Sequence, residues 1–155
     1  MASTNRADVS GNLVEVASGA GFATWRRERP AGTLKLHWSA QGAVRMHVDG
    51  CGAGAFAPLI IERYERAVRE TGKVLILFDL EKMQNYDTEL RATLTDWCLR
   101  HRKSISAMHL YAESKVVMMG ARVASLVLGG LMQIHGERTS FDPVVREGGL
   151  APVPT

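Results

Sequence analysis

Residues 73–78 read Lys-Val-Leu-Ile-Leu-Phe, an almost unbroken apolar run closed by Asp79. A run of that length without polar alternation describes a strand covered on both faces, the central position of a parallel sheet. The flanking segments agree. Before it, Phe56, Ile60, Tyr64, Ala67 and Val68 recur at helical spacing, with Glu62, Arg63, Glu65 and Arg66 on the wet side and Gly72 as the stop. After it, Leu90, Leu94, Trp97, Cys98 and His101 trace a helical stripe ending in the basic stretch Arg100–Lys103, where cations suit the helix dipole. A strand at 106–111, a very apolar helix at 114–129, a strand at 131–135 and a short helix at 141–147 capped by Ser140 or Asp142 complete the series.

Upstream the period is two. Leu34, Leu36 and Trp38 alternate with Lys35, His37 and Ser39, and after the Gln41-Gly42 turn Val44, Met46 and Val48 alternate with Arg45 and His47. That is a hairpin with one buried face. From residue 33 the order is ββαβαβαβα, an α/β fold with a mixed, mostly parallel sheet, an edge hairpin and helices packed on it. Residues 1–11 are expected to be disordered, 12–32 to be an N-terminal extension with short strands at 12–17 and 21–27, and 33–148 to be one domain. Residues 149–155, proline-rich and without period, are expected to form a loose tail.

Charge and cysteine content narrow the function classes. Nineteen Lys and Arg against sixteen Asp and Glu leave +3, too mild and too spread for a nucleic-acid footprint. Cys51 and Cys98 form neither a disulfide framework nor half of a zinc site, which fits a reduced, cytoplasmic protein. The N-terminus has no apolar core and carries Asp8, so it does not read as a secretory signal. The apolar stretch 116–132 is shorter than the ~20 residues of a membrane span and contains Arg122.

Three patterns could carry chemistry. Gly50-Cys-Gly-Ala-Gly-Ala55 fits G-x-G-x-x-A between a strand and a helix, with Asp79 placed like a ribose-binding acid. The preceding strand belongs to a hairpin, however, so a strand-to-helix turn with glycines supplying positive φ accounts for it, and a nucleotide-binding enzyme is the weaker reading. His37 and His47 fall on the less buried face of the hairpin, near enough to share a metal but without a third ligand; His101, His109 and His135 stand apart in the sequence. Neither Gly-Lys-Ser nor Gly-Lys-Thr occurs, nor H-E-x-x-H, nor G-x-S-x-G. The third pattern is 78–94, Phe-Asp-Leu-Glu-Lys-Met-Gln-Asn-Tyr-Asp-Thr-Glu-Leu-Arg-Ala-Thr-Leu. Here a buried strand ends at Asp79, a polar loop 81–88 follows, and Asp87-Thr88-Glu89 opens a helix. Asp87 or Thr88 would accept from its free N–H groups and Glu89 would suit its dipole. A hydroxyl there is also open to a kinase, and a phosphate would change the local charge by about −2.

That strand, helix, strand and loop order, with Leu75-Ile-Leu-Phe-Asp79-Leu80 followed by Asp87-Thr88, resembles the STAS domain of anti-sigma-factor antagonists over residues 33–148, in particular the divergent SpoIIAA-like branch. The resemblance implies a non-enzymatic regulatory module whose strand-end Asp is followed by Asp-Ser-Ser/Thr-Gly. The first hydroxyl is phosphorylated by a GHKL-type kinase that doubles as the anti-sigma factor. Carried over, Asp79 and Asp87 match and Thr88 takes the place of the phosphoacceptor, with Tyr86 and Glu89 on the same contact surface. Glu89 stands where the second hydroxyl would be and Leu90 where the glycine would be, so a switch at Thr88 would be lost or altered, as is common in the divergent branch.

The helix 114–128 is apolar nearly all round, more than one buried stripe requires. Deep packing, a homodimer or partner interface, or a groove for an apolar ligand would each explain it. The SpoIIAA-like fold is also compared with CRAL-TRIO lipid-binding folds. The alternative expectation is therefore a carrier of a lipid or other apolar molecule whose groove is lined by Met118, Met119, Val123 and Leu126.

Overall fold

A computed structural model describes residues 13–152. The chain enters as four antiparallel strands, β1 (Leu13–Gly19), β2 (Phe22–Glu28), β3 (Ala31–Trp38) and β4 (Ala43–Gly52). Leu34, Leu36, Val44, Met46 and Val48 are all buried, as period two requires, and Gly42 turns the hairpin at φ 94°. The segment before residue 33 is not an extension of this fold but part of its sheet. Trp25 lies opposite Leu34 and Ala23 opposite Leu36, so β2 and β3 share a buried face. The β3–β4 hairpin therefore sits inside the sheet, and β1 forms the edge.

The remaining elements are α1 (Ala57–Thr71), β5 (Val74–Leu80), β6 (Met83–Tyr86), α2 (Thr88–Arg100), β7 (Ile105–Ala112), α3 (Lys115–Leu128), β8 (Met132–His135) and α4 (Arg138–Glu147). The sheet runs β1-β2-β3-β4-β5-β7-β8 and is parallel from β4 onward. The exception to a simple path is β6, which also lies parallel to β4. Ala43–His47 pairs with β5, and Gly50–Gly52 pairs with β6. The exchange falls between His47 and Gly50, and within the β4–β6 pairing the register shifts between Gly50 and Cys51. Gly50 has φ +88°, and its amide donates to Lys82 O at 3.0 Å. A side chain at Gly50 would both strain that backbone and press on Ala31 O.

Alternation along the strands builds two cores. Val44, Met46, Val48, Ile76, Phe78, Met108 and Leu110 lie under α1, α2 and α3. On the opposite face Ala43, Leu77 and Tyr111 pack with Phe141 and Val145 of α4. This helix begins at Arg138, earlier than the expected residue 141. Ser140 and Asp142 lie inside it, so neither caps it, and Glu137 at the cap position makes no side-chain cap bond. Residues 149–152 are not a loose tail: Leu150 packs against the α4 core, its amide donates to Val145 O at 3.1 Å, and Arg45 donates to Ala151 O. The expectations for 1–11 and for 153–155 lie outside the described residues.

Phe141 is fully buried and anchors α4. Phe141→Ala is expected to cost about 3–5 kcal/mol of stability, read as a shifted midpoint in urea denaturation.

Candidate functional site

The connection expected as a free loop over 81–88 is partly a strand. After the turn at Glu81 and Lys82, β6 runs beside β4 as far as Tyr86, and Asp87 N then donates to Gly52 O at 2.8 Å. Asp87 occupies the N-cap position of α2 with extended backbone, but its side chain makes no cap bond to that helix. Its Oδ2 instead accepts from Gly54 N at 2.7 Å and faces Arg27 Nη1 at 3.5 Å. The carboxylate thus ties the start of α2 to the glycine turn. The Gly54 amide, which a bound phosphate would need, is already taken, and the Glu89 side chain packs against Gly54. Thr88 and Glu89, in the first turn of α2, are exposed, while Tyr86 and Asp87 are half-buried.

Asp79 does not belong with them. Phe78 and Leu80 point to the helical face, so Asp79 points the other way and is fully buried against α4. Its Oδ1 accepts from Arg138 Nη2 at 2.7 Å, and the same guanidinium bonds Glu81 and Asp142. Burial alone would raise the Asp79 pKa. The approach of His47, at 3.8 Å, and the hydrogen bond and charge of Arg138 outweigh that and hold it below the ordinary carboxylate value. The row containing Asp79 is polar across four strands: His47, Asp79, Tyr111 and His135 are successive partners. His109 Nδ1 and His135 Nε2 approach to 2.9 Å, and His135 Nδ1 lies 2.8 Å from Ser140 Oγ. Burial, and for His109 also the neighbouring His135, lowers both pKa values. His37 lies opposite Arg45 and His47 opposite Lys35, so the two hairpin histidines are diagonal neighbours. Arg138 follows a Gly-Glu turn with nothing periodic to mark it; the strand alternation that turns Asp79 toward it was the available signal. Among the described residues no group of three or more His, Cys, Asp or Glu side chains converges on a metal position, and Cys51 and Cys98 are both buried free thiols.

Beside the start of α2 the helices leave a space. An apolar cavity of about 70 Å³ lies between α2, α3 and the sheet, walled by Phe78, Leu94, Met108, Val117, Ala121 and Ala124. Tyr86 and Arg91 also line it. Arg91 Nη1 donates to the Tyr86 hydroxyl at 3.2 Å, and that hydroxyl fills the place a Cβ on Gly120 would need. The groove residues expected on α3 are on the wrong side of it. Met119 (66% exposed), Val123 (50%) and Leu126 (83%) face solvent, and Met118 is half-buried against the core. The cavity is lined by the opposite stripe of α3.

No family model matches the chain, and no curated protein matches it significantly. Among solved structures it matches an uncharacterized protein of the DUF3478 family with a SpoIIAA-like fold, from Shewanella loihica. The TM-score is 0.51 at 13% identity, covering 71% of this chain and 89% of that one. The chain has a SpoIIAA-like fold. No helix among the described residues is long and apolar enough to cross a membrane.

Removing the buried carboxylate partner of Arg138 tests the polar row. Asp79→Asn is expected to cost about 3–5 kcal/mol near neutral pH. Because the folded pKa of Asp79 is depressed, its contribution is present above the unfolded value of about 4 and is lost as pH falls through the folded one. The difference between wild type and variant, measured by urea denaturation across pH, should therefore shrink in acid.

Proposed function

We propose that this protein is a non-enzymatic, protein-interaction module of the regulatory kind. Its contact surface is the first turn of α2 with the residues that lead into it: Tyr86, Asp87, Thr88 and Glu89. The observation that carries this reading is the mounting of Thr88. It is exposed at the first helical position, on a connection held by β6 pairing, by the Asp87–Gly54 bond and by Arg27. A surface that is both open and rigid meets a partner without a large ordering cost. A partner of the anti-sigma-factor or GHKL-kinase type would read the charge at this turn, where Glu89 already places one negative group. Asp79, buried on the opposite face against Arg138, is not part of this surface.

Thr88→Glu and Glu89→Arg are expected to leave the melting temperature within a few degrees, since both side chains are exposed, and to change capture of a cross-linked partner from the native cell about five-fold or more. Capture identical to wild type by both variants would refute the assignment.

The cavity supports a second reading, a carrier of an apolar molecule. At about 70 Å³ it is smaller than the roughly 150 Å³ that accepts benzene, so a lipid enters only if α3 lifts. Native mass spectrometry of protein from its own cells decides: a retained apolar molecule supports the carrier, and a bare mass counts against it.

A further inference from the structure

In α3 the usual disposition of side chains is reversed. The stripe against the core is Val117, Gly120, Ala121, Ala124 and Leu128, mostly small, whereas Val116, Met119, Val123, Leu126 and Val127 are 50–83% exposed. At 100° per residue these five fall within one arc of about 100°. Chains that work alone in water rarely leave such a continuous apolar face open. The charges select what covers it. Lys115 and Arg122 are the only charged residues of α3, both are exposed, and on the helical wheel both fall along one border of the apolar arc. Toward the other border stands Gly120, beneath the Tyr86 hydroxyl that Arg91 holds. Among the described residues none of these three cations is paired with a carboxylate.

We propose that the outward face of α3 docks on an anionic lipid surface, its apolar arc entering the headgroup boundary and Lys115 and Arg122 meeting lipid phosphates. A helix with an apolar arc edged by cations and free of acids has the composition that lies in a membrane interface. A second copy of this chain is a poor complement. Arg122 lies near the middle of the helix, so antiparallel pairing through this face would bring it close to its own counterpart with no acid on either helix to offset the repulsion. A groove on an acidic protein would satisfy the cations but has no other support in the structure. The proposal stands apart from the α2 surface described above, and either can fail without the other.

The test is co-sedimentation of the full chain with vesicles of phosphatidylcholine alone and of phosphatidylcholine mixed with phosphatidylglycerol. Wild type is expected to partition into the mixed vesicles and to be released by salt. Arg122→Gln should weaken that partitioning about five-fold, one cation being worth that much near an anionic surface. Met119→Ser combined with Leu126→Ser should weaken it about ten-fold or more through lost apolar contact. Thermal melts of both variants should match wild type, because the side chains are exposed. Absence of wild-type partitioning overturns the proposal, as does equal binding to neutral vesicles or wild-type binding by the double variant. Sedimentation velocity supplies the remaining contrary outcome: a dimer that the double variant dissociates assigns the face to a second copy.

Discussion

The partner exchange along β4 governs the helical face of this protein. One strand holds two parallel neighbours in succession, β5 at its start and β6 at its end, and the change is possible because Gly50 takes a backbone conformation that other residues resist. Without it the chain leaving β5 would continue as an unpaired loop. With it, Tyr86 arrives under α3 and Asp87 arrives at the glycine turn. The first turn of α2 is then fixed from three directions: backbone pairing, a carboxylate–amide bond and an arginine.

How much of this was legible depended on whether the signal was local. The apolar run at 73–78, the alternation at 33–48 and the helical stripes of α1 and α2 reflect burial of one chain segment at a time, and each is an element of the structure. The start of α2 was marked by Asp87, Thr88 and Glu89, but the cap bond they suggested is not made, and the Asp87 carboxylate turns to Gly54 instead. β6 was hidden because it is only four residues long and takes its strand pairing from β4, which is distant in sequence. The direction of Asp79 could be read from alternation, but its partner could not, since Arg138 reaches it from another element altogether. On α3, apolarity all round left the inward stripe undetermined. Size decides it, with glycine and alanine packing under Tyr86 and against the sheet.

The opposite face obeys a different economy. Its row of polar side chains lies in a layer only one helix thick, and Arg138 alone serves three carboxylates. Such pairs contribute little net stability, because removing the charges from water offsets most of their attraction. What they confer is placement. The guanidinium shared among Asp79, Glu81 and Asp142 ties the first turn of α4 to the end of β5. The two imidazoles at 2.9 Å extend the network through Ser140 to the same helix.

The small inward stripe of α3 also determines how that helix is seated. Large side chains key one helix into the furrows of its neighbour, and their interlocking sets a barrier to rotation and sliding. Gly120, Ala121 and Ala124 present few such teeth. Val117 and Leu128 are the larger buried side chains of this stripe, and between them the ring of Tyr86 is lodged at Gly120. Because the ring occupies the space beside the helix backbone, α3 can approach the end of β6 this closely only with glycine at position 120.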